Sequence, residues 1–318
     1  MEVQTVLGPV APEALGPTDA HEHLFLRTPA LPGEELTELE PMLAEAAALR
    51  AAGARAVADL TPVGCGRDPD SLRLLAERSG LHVIAATGFH RDAHYPAGHW
   101  VHREPEEVLA EVLVTDLTVG MDERDWQGPR PRPGPARAGI VKLGASYQRL
   151  SGSERRRLAA GALAAARTGA PVAVHLELGS MAHEVLDLLA GHDVPPGRVA
   201  LAHLDRNPDL GLHAELAERG AFLMYDGAGK VVHHPDSMLV ELVAGMAEAG
   251  HAGSLLLGGD VARRSSLRAH GGGPGMAHLF AVLAPRLRKA LGDQLVERLL
   301  VANPARAFRF AEVGTAGG

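Results

Sequence analysis

Lysine is nearly absent from this chain. Its 318 residues carry 31 Lys and Arg together, and the only lysines are Lys142, Lys230 and Lys289. A bias of this kind is genomic in character, yet where arginine is the default each surviving lysine merits inspection. A single cysteine excludes a disulfide framework and any Cys-based zinc site. That cysteine, Cys65 in TPVGCGRD, has no evident base beside it and reads as an inert thiol. Aromatic residues make up 3% of the chain, too few to line a large apolar pocket. No basic block offsets the net charge of -8, which makes nucleic acid and anionic membranes poor partners. No apolar run approaches the roughly 20 residues that span a bilayer. The opening MEVQTVLGPVAPEALG lacks the basic start and apolar stretch of a signal peptide. The expectation is a cytoplasmic protein that acts on a small molecule.

What is present is a regular alternation. Eight apolar runs read as strands: 17–21, 54–60, 81–87, 138–143, 170–176, 198–204, 221–226 and 254–260. They are apolar throughout, as parallel strands covered on both faces should be. Between them lie helical stretches such as 38–53, 154–169, 182–192 and 235–250, and Ser151 with Glu154 forms a capping-box pattern. Eight β-then-α units in about 260 residues fit a (β/α)8 TIM barrel. A doubly wound sheet would offer a Gly-rich first turn, which is missing. No linker divides the chain, so one domain over 1–318 is expected. The Pro/Arg-dense stretch 120–139 reads as an irregular loop, 276–309 as a C-terminal helix pair, and the final GTAGG as frayed.

Barrel enzymes place their chemistry at the C-terminal ends of strands. Those ends carry His21 and His23, Lys142, His175, His203 and Asp260. Residues i and i+2 of a strand face the same way, so His21 and His23 can reach one ion. Imidazoles with a carboxylate suit zinc, manganese, cobalt or iron better than calcium or magnesium. A lone His-x-His in a chain with 17 histidines means little; His175, His203 and Asp260, each ending a separate strand, mean more. Lys142 should repel a dication unless its amine has reacted with carbon dioxide to give an anionic carbamate. That carbamate could bridge two metals. The alternative is a structural lysine paired with Asp59 or Glu177.

The order His-x-His, Lys, His, His, Asp on eight β/α units resembles the amidohydrolase superfamily and, more narrowly, the phosphotriesterase family. GPTDAHEHLF (16–25), AATGFH (85–90), IVKLGAS (140–146), PVAVHLE (171–177), VALAHLDRN (199–207), LLLGGD (255–260) and VANPARAF (301–308) carry the resemblance. It implies two divalent metals, with zinc customary. His21, His23 and Asp260 would hold the buried ion and His175 and His203 the exposed one, with carboxylated Lys142 and a hydroxide bridging them. The hydroxide would attack, Asp260 would accept the proton, and Asp205 is a candidate relay. Members are often homodimers, which makes a homodimer a further expectation.

Substrate residues are sought in the mouth loops. His90 and Tyr95 lie in the loop after the third strand, from which lactone-opening relatives place an aromatic near the metals. Here His90 stands where such relatives tend to have tyrosine. Arg206, Lys230, Arg263 and Arg264 follow the sixth, seventh and eighth strands and could clamp a phosphate or carboxylate. They could equally pair with carboxylates such as Asp226. The reading is a lactonase or carboxylic esterase for a polar, possibly phosphorylated, lactone. The alternatives are a phosphotriesterase, a metal-containing binding protein without turnover, and a mononuclear deaminase-like hydrolase.

Overall fold

The protein is described here from a computed structural model, covering residues 1–125, 128–130 and 132–312. Two short antiparallel strands, β1 (Val3–Thr5) and β2 (Gly8–Val10), precede the barrel. This hairpin has no counterpart in the eight expected runs; three-residue strands are too short for periodicity to show.

The eight barrel strands are β3 (Thr18–Glu22), β4 (Ala56–Asp59), β5 (His82–Gly88), β6 (Ile140–Ala145), β7 (Val172–Leu176), β8 (Val199–Ala202), β9 (Phe222–Tyr225) and β10 (Leu255–Leu257). They pair in parallel in chain order. Helices α1 (Leu39–Ala51), α2 (Pro69–Ser79), α3 (Glu106–Thr118), α4 (Gly152–Thr168), α5 (Ala182–Ala190), α6 (Leu210–Glu218) and α7 (Asp236–Glu248) fill the crossovers. The helices α8 (Ala284–Leu291), α9 (Asp293–Glu297) and α10 (Asn303–Ala307) follow β10. All eight expected strands are present, and the alternation is that of a TIM barrel. The Ser151–Glu154 capping box is formed in both directions, each bond 3.0 Å, and it starts α4 at Gly152. The final GTAGG lies outside the described residues. No described helix is long and apolar enough to cross a membrane.

Side-chain alternation sorts the core into two layers. Val172, Val174 and Leu176 of β7 face the helices, whereas Ala173 faces the barrel interior. The interior is filled by small residues: Ala20, Ala56, Ala58, Ala86, Ala200 and Ala202, with Ile84, Ile140 and Met224. Because successive strand residues alternate faces, Lys142 shares the inner face with Ile140, and His175 shares it with Ala173. The period of two thus turns the functional groups inward.

Closure between the first and last barrel strands is not made by a ladder. The Asp260 N–H donates to the His21 carbonyl at 2.7 Å. Gly259 N–H donates to Asp19 Oδ1 at 3.2 Å and Val261 N–H to Glu22 Oε2 at 2.7 Å. Buried carboxylates thus hold the segment beyond β10 against β3. Burial pushes the Asp19 carboxyl up to about 7.

Candidate metal centre

His21 sits within β3 and His23 one residue beyond it. Lys142 lies in mid-strand, since β6 runs on to Ala145. His175 is inside β7, His203 follows β8 in a left-handed conformation (φ 66°), and Asp260 stands three residues past β10. All six are buried, from 0% exposure at His21 and Lys142 to 8% at His175.

Each imidazole has one nitrogen anchored away from the centre. His21 Nδ1 donates to Asp226 Oδ2 and His203 Nδ1 to Asp226 Oδ1, both at 2.7 Å. His23 Nδ1 lies 2.9 Å from Thr61 Oγ1, whose hydroxyl donates onward to Asp59 Oδ1 at 2.7 Å. His175 Nε2 donates to Glu177 Oε2 at 2.8 Å, and Arg91 holds that same oxygen at 2.9 Å. Partners of this kind fix the tautomer and orientation of metal-binding histidines. Asp226, Thr61 and Glu177 were not expected as site residues. The sequence could have flagged only that Asp226 ends an apolar run and Glu177 follows His175 by two.

The inward nitrogens then carry lone pairs, and they converge. His203 Nε2 and His175 Nδ1 stand 2.8 Å apart. Two lone pairs at that distance repel unless a proton or cation lies between them. His21 Nε2 and His23 Nε2 are 3.5 and 3.4 Å from Asp260 Oδ1, and Lys142 Nζ is 3.4 Å from His21 Nε2. His21, His23 and Asp260 form one group with donor atoms close enough to share an ion. His21, His203 and Asp226 form another by distance. There, however, the 2.7 Å contacts are those of charge-assisted hydrogen bonds, and Asp226 acts as the acceptor behind the rings. The donor set fits divalent metals.

Electrostatics favour neutral imidazoles. Burial, reinforced by the Lys142 charge, holds His21 well below its usual pKa. Burial and the neighbouring His203 do the same to His175. Burial lowers Lys142 to about 8, against the opposing pull of Asp260 and Asp226. Neither Asp59 nor Glu177 pairs with Lys142; both are engaged by the histidine anchors. Although burial works against it, Asp260 is held well below the carboxylate range by Lys230 first, then His21 and His203.

The expected substrate residues divide. Arg206 Nη2 reaches Asp260 Oδ2 at 2.8 Å, and Lys230 Nζ bonds the same oxygen. Both therefore stand at the centre. Asp205 is buried but does not touch Asp260; its Oδ2 accepts from His234 Nε2 at 3.0 Å. A Cβ on Gly227 would lie 2.3 Å from that oxygen, so glycine is what allows the pair to form. His90 stacks on His94 with centroids 3.5 Å apart, and its ring lies 4.7 Å from that of His175.

Two expectations are corrected. Tyr95 is not turned to the centre: its buried hydroxyl accepts from the His90 N–H and donates to the Val63 carbonyl, both at 2.9 Å. It anchors the loop, and His94 takes the inner position. Arg264 turns outward to pair with Glu38, and its N–H donates to the Glu34 carbonyl. It is drawn away by acidic residues ahead of α1. Arg263 is exposed beside it; its charge helps lower the Glu34 carboxyl, after the bonds from Ser265. A cavity of about 630 Å³ lies among the loops after β3, β4 and β5, lined by Arg27, Thr28, His99, Trp100 and Asp125 among others; none of the six expected ligands lines it.

Residues 1–308 match the phosphotriesterase family. The chain belongs to that family, whose members are metal-dependent hydrolases. It is 30% identical to a phospho-furanose lactonase of Mycoplasmopsis synoviae, over 97% of this chain and 92% of the relative. It is also 30% identical to an N-acetyltaurine hydrolase of Tetraodon nigroviridis, over 97% and 98%. Among solved structures, a lactonase from Listeria monocytogenes superposes with a TM-score of 0.90 at 26% identity, covering 98% of this chain and 100% of that one. As a member of this family the protein is a hydrolase, and its described residues include His/Asp groups able to hold metal.

Proposed function

We propose that this hydrolase holds two divalent ions and opens a five-membered sugar lactone that carries a phosphate. The observation that carries the reading is the convergence of four anchored imidazoles, Lys142 and Asp260 on one buried centre. His21, His23 and Asp260 would hold one ion, and His175 and His203 the other. Zinc suits these donors, with manganese, cobalt or iron as alternatives. Lys142 would join them as a carbamate: its neutral amine bonds to the carbon of CO2, one N–H proton leaves to solvent, and an anionic oxygen pair results. Its burial without a carboxylate at ion-pair distance, among the described residues, supports that role. Two such ions, when bound, lower the pKa of water and polarise the scissile carbonyl.

The chain's own residues do the rest. Asp260 turns Oδ1 toward His21 and His23 and Oδ2 toward Arg206 and Lys230. A phosphate monoester would give those two cations a second anion to engage. As they turn to it, Oδ2 becomes free to accept the proton lost by the attacking water. We assign the relay to buried Asp205, which pairs with His234 and accepts from the Asp226 N–H. His90 and His94, stacked on each other beside His175, would wall the side where the lactone ring enters. The relative named phospho-furanose lactonase supports this substrate class; the N-acetyltaurine relatives share a hydrolysed carbonyl of another kind.

The test is reconstitution of metal-free protein. Full activity toward a five-membered sugar lactone should require two ions per chain and return with zinc. Saturation at one ion, or no lactone opening with two ions bound, would contradict the reading.

A further inference from the structure

Asp226 lies just past β9 and is fully buried. Its two oxygens serve two different rings, Oδ2 on His21 and Oδ1 on His203. An ionised carboxylate only accepts hydrogen bonds, so both Nδ1 atoms must donate. The geometry is braced further: the His203 N–H donates to Oδ2 at 3.3 Å, and the Asp226 N–H donates to Asp205 Oδ1 at 3.4 Å. With Nδ1 protonated, each ring keeps its lone pair on Nε2. His21 Nε2 points to Lys142 and Asp260, and His203 Nε2 points to His175.

On the two-metal reading, on which this inference rests, those two nitrogens bind different ions. We propose that Asp226 is a positioning residue that couples the two metal sites, setting the tautomer of one ligand to each ion through a single carboxylate. The histidines on its other side have separate supports, Thr61 for His23 and Glu177 for His175. Of the three groups that support these rings, Asp226 alone bonds a ligand of each site.

The consequence is specific to the amide. Asp226→Asn keeps the size but presents one acceptor and one NH2 donor. The oxygen can still accept from one ring. The NH2 must face the other ring, which then offers a lone pair at Nδ1 and carries its proton on Nε2. A protonated Nε2 cannot bind a metal. The variant should therefore retain one ion and lose the other, and not merely bind both more weakly. Thr61→Val removes a support from His23 alone without imposing a donor. It should keep both ions, one of them with roughly 10–100-fold lower affinity, the usual cost of losing such a partner.

The experiment is metal content after exhaustive dialysis of zinc-loaded protein, with nitrogen-15 spectra of the imidazoles. The expected result is two zinc ions in the parent, one in Asp226→Asn and two in Thr61→Val. Two ions bound to Asp226→Asn with parental affinity would overturn the proposal. A parent that binds fewer than two ions would instead overturn the two-metal reading, so the failures are separable. If Asp226→Asn does not fold, the parent decides: His21 and His203 should both be protonated at Nδ1. Either ring protonated at Nε2 would overturn the proposal.

Discussion

Lys142 Nζ lies 3.4 Å from His21 Nε2 inside the barrel, with no described carboxylate at ion-pair distance. An amine so placed is poorly explained as a structural cation, because its burial is uncompensated by a direct partner. Replacing it tests its chemistry. Lys142→Ala should lower kcat/KM by roughly 10²–10³-fold or more, the scale for removing one preorganised electrostatic group. Carbon-13 dioxide should give a lysine carbamate resonance in the zinc-loaded parent that is absent from the variant. Undiminished turnover by Lys142→Ala would sink the assignment.

The cations on Asp260 Oδ2 make a second prediction. Lys230→Met removes one charge-assisted contact, worth about 1.5–3 kcal/mol. It should reduce kcat/KM for a phosphorylated lactone by roughly 10–150-fold and leave the plain lactone within a few-fold. Arg264→Ala should change neither rate, since Glu38 holds that side chain on the outer surface. Steady-state kinetics on the two substrates checks both, and an equal loss on both substrates for Lys230→Met would make Lys230 a structural partner of Asp260.

Tyr95 separates a loop anchor from a substrate group. Tyr95→Phe strands the buried His90 N–H and Val63 carbonyl, at a cost of about 1–3 kcal/mol. Thermal unfolding should show that loss, while KM stays near the parental value. A large rise in KM with unchanged stability would return Tyr95 to the substrate pocket.

A pH prediction follows from Asp205 and His234. The hydrogen bond to Asp205 raises the His234 pKa above its usual 6.5, against burial and the Arg206 charge. A raised histidine pKa stabilises the fold most below the unfolded value, and the gain disappears as pH rises through the folded value. Asp205→Asn should therefore cost the most stability below pH about 6.5, and its excess cost should fade as the pH rises through the folded pKa. Histidine NMR titration should show His234 shifting downward in the variant. An unshifted His234 would mean that Asp205 is not its partner in solution.

The barrel was legible because parallel strands covered on both faces leave unbroken apolar runs. The six inner residues were legible because histidine, lysine and aspartate are costly to bury in a barrel without a role. The inner face of β6 and β7 even follows from alternation, since Ile140 and Ala173 mark the side that Lys142 and His175 share. Asp226 was not legible in the same way. Its role depends on meeting His21 of β3, which is 205 positions away, and His203 just past β8, which is 23 away. Thr61 and Glu177 acquire meaning only through similar meetings. Tyr95 and Arg264 were misplaced because loop paths depend on partners such as Val63 and Glu38, which no local pattern reveals. The β1–β2 hairpin was too short for its period to be seen.

Arg206 and Lys230, beside the proposed metal centre, should select a phosphorylated lactone. The most direct test compares kcat/KM for one five-membered sugar lactone with and without its phosphate, using zinc-loaded protein. The expected result is a preference of at least about tenfold for the phosphorylated form, equivalent to one charge-assisted contact. Equal values, or a preference for the plain lactone, would contradict it and leave Arg206 and Lys230 as structural partners of Asp260.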